Sequence, residues 1–105
     1  NDVLATTGMA GAGATIQLFT TGLGTPTGNP ICPMVKLSTN TRLAEKLPEI
    51  IDIDCGPIIS GDKSVEEIGE EVLNYIIQLA SGEINTKAMD LGQDDFMFWR
   101  RGVKL

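Results

Sequence analysis

The chain has 105 residues, 42% hydrophobic and 21% charged, with a mean hydropathy of +0.07, which suits one globular domain and is too apolar for disorder. Its formal net charge of −6 argues against nucleic acid, whose binding needs clustered Lys and Arg, and only Arg100 and Arg101 stand together. No apolar run approaches the roughly 18–20 residues of a membrane-spanning helix, and no signal-peptide pattern is visible in these residues.

Histidine is absent. It is the commonest metal ligand and the usual general base near neutral pH. If the chain belongs to an enzyme, much of the chemistry is therefore expected in another part of the polypeptide. The start at Asn1, without methionine, points to a fragment or a processed chain. Cys32 and Cys55 are too few for a disulfide scaffold and read as free, buried thiols of a cytoplasmic protein.

Residues 6–13 are almost all small and read as a short helix packed closely against a neighbour. A dinucleotide fingerprint is ruled out by order, because its glycines follow a strand and here the strand comes after them. That strand spans Ala14–Thr21, with Ile16, Leu18 and Phe19 as its apolar run. It feeds a loop of Thr20, Thr21, Gly22, Gly24, Thr25, Thr27 and Gly28. Glycines let a ligand approach the main chain, and hydroxyls with backbone N–H groups donate to an anion or a polyol. The same stretch also reads as a turn-rich connection without a ligand, and both readings stand at this point.

Asn29–Pro33 is too punctuated for regular structure, and Cys32 within it reads as a packing residue. Met34–Ser38 is a second strand. Thr39, Asn40 and Thr41 cap a short helix through Leu43, Ala44 and Leu47, which Pro48 stops. Ile50–Gly56 reads as a third strand with Asp54 and Cys55 at its end. If the three strands are parallel, their polar ends meet at one edge of the sheet, where open α/β sheets bind ligands.

The strongest pattern is a helix over 64–82. Ser64 and Glu67 make a capping box, Val65, Ile68, Val72, Ile76 and Leu79 share one face, and Gly82 stops it. Its acids Glu66, Glu67, Glu70 and Glu71 read as a solvated face. The tail, 90–105, carries Phe96, Phe98 and the sole Trp, Trp99. This cluster is expected to dock on the sheet or to contact another domain or subunit, with Asp94 and Asp95 as an N-cap and a first-turn acid. The fold class expected is α/β: a small, mostly parallel sheet of three or more strands with flanking helices, Rossmann-like and three-layered.

Several stretches together resemble the C-terminal region of the altronate and galactarate dehydratases. They are Thr7-Gly8 with Ala14, Phe19 to Thr25, Val35 to Asn40, Ile53 to Gly56, the Glu-rich helix, and Gly92 to Phe96 with Trp99 and Gly102. The resemblance implies a hydro-lyase that removes water across C2 and C3 of a sugar acid, giving a 2-keto-3-deoxy acid. It implies that residues 1–105 are the C-terminal domain of a larger enzyme, with an N-terminal and a central domain upstream. It also implies a divalent metal, iron or manganese, held upstream with no metal expected in this piece. The partners are then the sugar acid and the upstream domains, and homo-oligomerisation stays open.

Thr20, Thr21, Gly22 and Gly24 are the substrate-binding candidates, with Asn40 next and Asp54 weaker; the base and the acid are unassigned. Family members often carry Arg where this chain has Leu23, and leucine cannot clamp a carboxylate. The related sulfolactate-cleaving lyases are therefore an alternative, as is a non-catalytic module that binds an anion or a partner. The 105-residue piece alone is expected to be catalytically silent.

Overall fold

The computed structural model describes residues 1–102. Its elements in order are α1 (Asp2–Gly11), β1 (Gln17–Thr21), β2 (Met34–Ser38), α2 (Thr41–Lys46), β3 (Ile53–Asp54), α3 (Pro57–Ser60), α4 (Val65–Ala80) and α5 (Lys87–Asp90). The strands form one parallel sheet in the order β1-β2-β3. Gln17 pairs with Met34 and Thr21 with Ser38 across the first interface, and Ser38 with Asp54 across the second. The middle strand is buried along its whole length, as a strand covered on both faces must be.

Side chains alternate along a strand, so this register assigns the two faces. Val35, Leu37 and Ile53 point to one side and meet Leu79 of α4, with Ile16, Val72, Tyr75 and Ile84 around them. The long helix covers that face as its periodicity predicts. Ser64 caps it by accepting from the Glu67 N–H. On the opposite face the Gln17 side chain donates to the Thr6 carbonyl of α1, which places α1 there and completes three layers.

Several expectations need correction. β1 begins at Gln17, because Gly13 turns at φ +103° and the Ala14 N–H closes α1 by donating to Met9. β3 is only two residues long. The Ile50 and Ile51 N–H groups turn back to the Leu47 carbonyl, and Pro57 starts α3 just past Gly56. Asp94 and Asp95 cap no helix: the segment is irregular, and the Asp95 N–H donates to the Gly28 carbonyl. Residues 103–105 of the tail lie outside the described residues.

The aromatic tail docks on α1 rather than on the sheet. Trp99 Nε1 donates to the Leu4 carbonyl at 3.2 Å, and the Met97 N–H donates to Thr7 Oγ1 at 3.0 Å. Gly8 makes this possible, since a Cβ there would lie 2.5 Å from the indole ring. The small-residue stretch is thus a close-packing device. Gly8→Ala is expected to lever Trp99 off the helix while leaving the fold intact, because better helix propensity, about 0.5–1 kcal/mol, offsets part of the lost contact. The near-UV circular dichroism of the sole Trp should collapse with the far-UV spectrum unchanged.

Candidate functional site

The carboxyl ends of the parallel strands meet at one edge, and loops fold back on each other there. Asn40 is the hinge of this arrangement. Its Oδ1 accepts the Leu43 N–H at 2.8 Å and so caps α2, while its Nδ2 donates to the Gly22 carbonyl at 3.2 Å. Thr39 ties the same loops together, its N–H and hydroxyl both donating to the Thr21 carbonyl. Ser38 is fully buried and its hydroxyl donates to the Asn40 carbonyl. The Asn40 amide, read from sequence as a ligand donor, thus holds the edge together with the Ser38 and Thr39 hydroxyls.

Thr20 and Thr21 are neighbours on one strand and point to opposite faces. Thr21 shares a face with Ser38 and Asp54, while Thr20 pairs with Leu37 on the α4 side. Thr20 is exposed; Thr21 Oγ1 accepts the Gly24 N–H at 2.9 Å, leaving its proton free to donate. Gly24 turns at φ +93° with Leu47 Cδ1 only 2.8 Å from where a Cβ would stand, so this glycine serves the turn. Asp54 Oδ1 accepts the Gly56 N–H.

Gly56 seats the strand end against α2. A Cβ there would lie 2.2 Å from the Thr41 nitrogen and 2.9 Å from the Asn40 carbonyl carbon, and backbone cannot give as a side-chain tip can. Gly56→Ala is expected to cost about 3 kcal/mol in urea unfolding and to displace Asn40.

Gly22 and Asn40 come together in a cleft of about 310 Å³ between the loop after β1 and α2, also lined by Leu23, Arg42 and Lys46. Thr20, Thr21 and Gly24 do not line it. Arg42 and Lys46 were missed in the sequence, where the signal was two cations four residues apart at the end of a strand–helix step.

A second missed group is Lys36, in the middle of β2. Its side chain has no solvent exposure and its Nζ has no hydrogen-bond partner among the described residues. Burial pulls its pKa down, opposed by the charges of Asp52 and Asp95. Asp52 is the polar hub beside it, accepting the Lys36 N–H at 2.8 Å, the Lys87 N–H at 2.9 Å and the Tyr75 hydroxyl at 3.1 Å. A lysine inside an otherwise apolar strand was the visible cue.

For a metal, the described residues offer no group of three Cys, Asp or Glu side chains. Burial, with the charges of Asp54 and Glu71, pushes the Cys55 thiol pKa up and so disfavours its thiolate. Both cysteines are free thiols, Cys32 buried as expected but Cys55 only half-buried just past β3. Away from the strand ends, an apolar groove of about 420 Å³ lies between α1 and the tail, walled by Gly8, Phe96, Phe98 and Trp99 among others. No helix of the described residues is long and apolar enough to cross a membrane.

Comparison with known proteins places these features in a family. The family described as D-galactarate/Altronate dehydratase, C-terminal, matches residues 1–104. The chain is 37% identical over 86 residues to galactarate dehydratase (L-threo-forming) of Escherichia coli, covering 82% of this chain and 16% of that protein. It is 43% identical over 84 residues to altronate dehydratase of Bacillus subtilis, covering 80% and 17% respectively. It is also 33% identical over 91 residues to (2R)-sulfolactate sulfo-lyase subunit beta of Chromohalobacter salexigens, covering 87% and 23%. The chain thus spans less than a quarter of the length of these relatives.

Proposed function

The chain belongs to the D-galactarate/altronate dehydratase C-terminal family, and from that premise we propose that it is the C-terminal domain of a hydro-lyase acting on a sugar acid. The reaction removes the C2 proton and the C3 hydroxyl of an altronate- or galactarate-type acid and releases a 2-keto-3-deoxy acid. The observation that carries this reading is the match over residues 1–104 to a dehydratase family.

The domain's own part is to build one wall of the pocket. Its parallel strands end together, and the Gly22–Asn40 contact fixes the loop after β1 against α2. A sugar acid presents hydroxyls and carboxylate, which the Thr21 hydroxyl and the groups lining the cleft would hold in place. The iron or manganese and the residues moving the C2 proton are assigned in this reading to the upstream domains; among the described residues no three Cys, Asp or Glu side chains come together. The apolar groove under Trp99, with Phe98 85% exposed, is where the upstream domains would pack, since exposed aromatic patches of this kind mark contacts. By itself the domain is expected to be inactive.

A second reading, favoured by the sulfolactate lyase similarity, is carbon–sulfur cleavage by the same scaffold. Incubating the full native polypeptide, supplied with iron or manganese, with altronate, galactarate and sulfolactate separates the two. A 2-keto-3-deoxy product from a sugar acid supports dehydration. Sulfite from sulfolactate, with no keto product from either sugar acid, overturns it.

A further inference from the structure

We propose that the cleft between the Gly22–Leu23 loop and α2 is a carboxylate-binding site for a small organic acid, with Arg42 and Lys46 as its cationic groups. Both residues line the cleft, and they stand four apart on α2, so they share one face of that helix. Like charges at this spacing repel. Neither forms an ion pair: among the described residues the one ion pair joins Lys63 to Glu71. Two cations without an ion-pair partner among the described residues thus line one cleft in a chain of net charge −6. An anion between them would relieve their repulsion.

The rest of the lining suits a small anion, and the functional reading above makes its charged group a carboxylate. About 310 Å³ has room for a six-carbon acid. The guanidinium of Arg42 matches a carboxylate with two parallel N–H donors, and Lys46 adds a point charge without demanding an orientation. Gly22 brings main chain rather than side chain to the cleft wall, and its N–H makes no hydrogen bond among the described residues. Asn40 holds that wall in place through its bond to the Gly22 carbonyl. Leu23, 93% exposed, forms an apolar side and contributes no charge.

This inference deepens the functional reading above, because a sugar acid brings such a carboxylate, and the two fail separately. Calorimetric titration of the full native polypeptide would use galactarate as probe and galactitol, the same carbon chain without carboxylates, as control. Galactarate is expected to bind and galactitol not to. Arg42→Gln and Lys46→Gln should each weaken galactarate binding by about tenfold or more, and added salt should weaken it further. Both positions are on the surface, so folding is preserved, and the far-UV spectrum checks this.

Binding with these losses but without formation of a keto acid supports the site and removes the dehydration reading. Wild-type affinity and turnover in both variants leaves that reading standing and overturns the site. The same affinity with a lowered melting temperature also overturns it, and gives Arg42 and Lys46 a structural role instead.

Discussion

Asp52→Ala is expected to cost the domain about 3–5 kcal/mol, which is a large part of the stability of a chain this size. Three donors lose their acceptor at once: the Lys36 N–H, the Lys87 N–H and the Tyr75 hydroxyl. Each hydrogen bond to a charged group contributes about 1.5–3 kcal/mol, and bonds sharing one carboxylate do not add fully. The change also removes a negative charge that opposes the burial cost of Lys36. Tyr75→Phe, which deletes one of the three bonds, should cost less, about 1.5 kcal/mol. Urea denaturation at neutral pH measures both. A loss below that of Tyr75→Phe would show that Asp52 is not the hub.

The opposite sign is expected at the neighbouring position. Lys36→Met should stabilise the domain, by about 1–4 kcal/mol, because an apolar side chain of similar length replaces a buried ammonium that has no partner among the described residues. A pH series gives this its signature. The folded state holds the Lys36 proton less tightly than the unfolded chain does, its pKa lying below the usual 10.5. Between that lowered value and 10.5 the unfolded chain binds more protons, so wild-type stability climbs with pH. Below the window both states are charged and the full cost persists. Cys55 and Tyr75 act in the other direction. Their pKa values are pushed up from 9.0 and 10.0, mainly by burial, so the folded state keeps protons that the unfolded chain loses, and stability falls above those values. Lys36→Met should therefore abolish the rising limb and keep the falling one. In the Lys36→Met background Asp52→Ala should also cost less than it does alone.

How much of this was legible beforehand depended on whether a feature is local. β2, the Asn40-capped α2 and α4 followed from patterns held within a few residues, and their ends fall within a residue or two of the expectation. α3 and α5 are four residues each, too short for periodicity to register, though Thr86 before Lys87 was a cap signal for the second. The third strand shrank because its apolar alternation competes with the turn after Leu47 and with the Asp52 side chain, which takes the Lys36 N–H itself. Docking of the tail on α1 required knowing that Gly8 faces Trp99, a contact between residues 91 apart in sequence that no window spans. At the strand edge the sequence identified the polar residues but not their division of labour. Thr21 and Asn40 both hold loops, and Arg42 and Lys46 acquire meaning only once α2 folds beside Gly22.

Whether this domain forms part of a sugar-acid pocket is tested most directly by amide hydrogen exchange on the full native polypeptide. With galactarate or altronate added, residues 20–24 and 38–42 should exchange more slowly than in the free protein, with the 96–99 segment unchanged. Turnover of either acid without any slowing at 20–24 and 38–42 would contradict the account and leave the domain a structural appendage of a pocket built elsewhere.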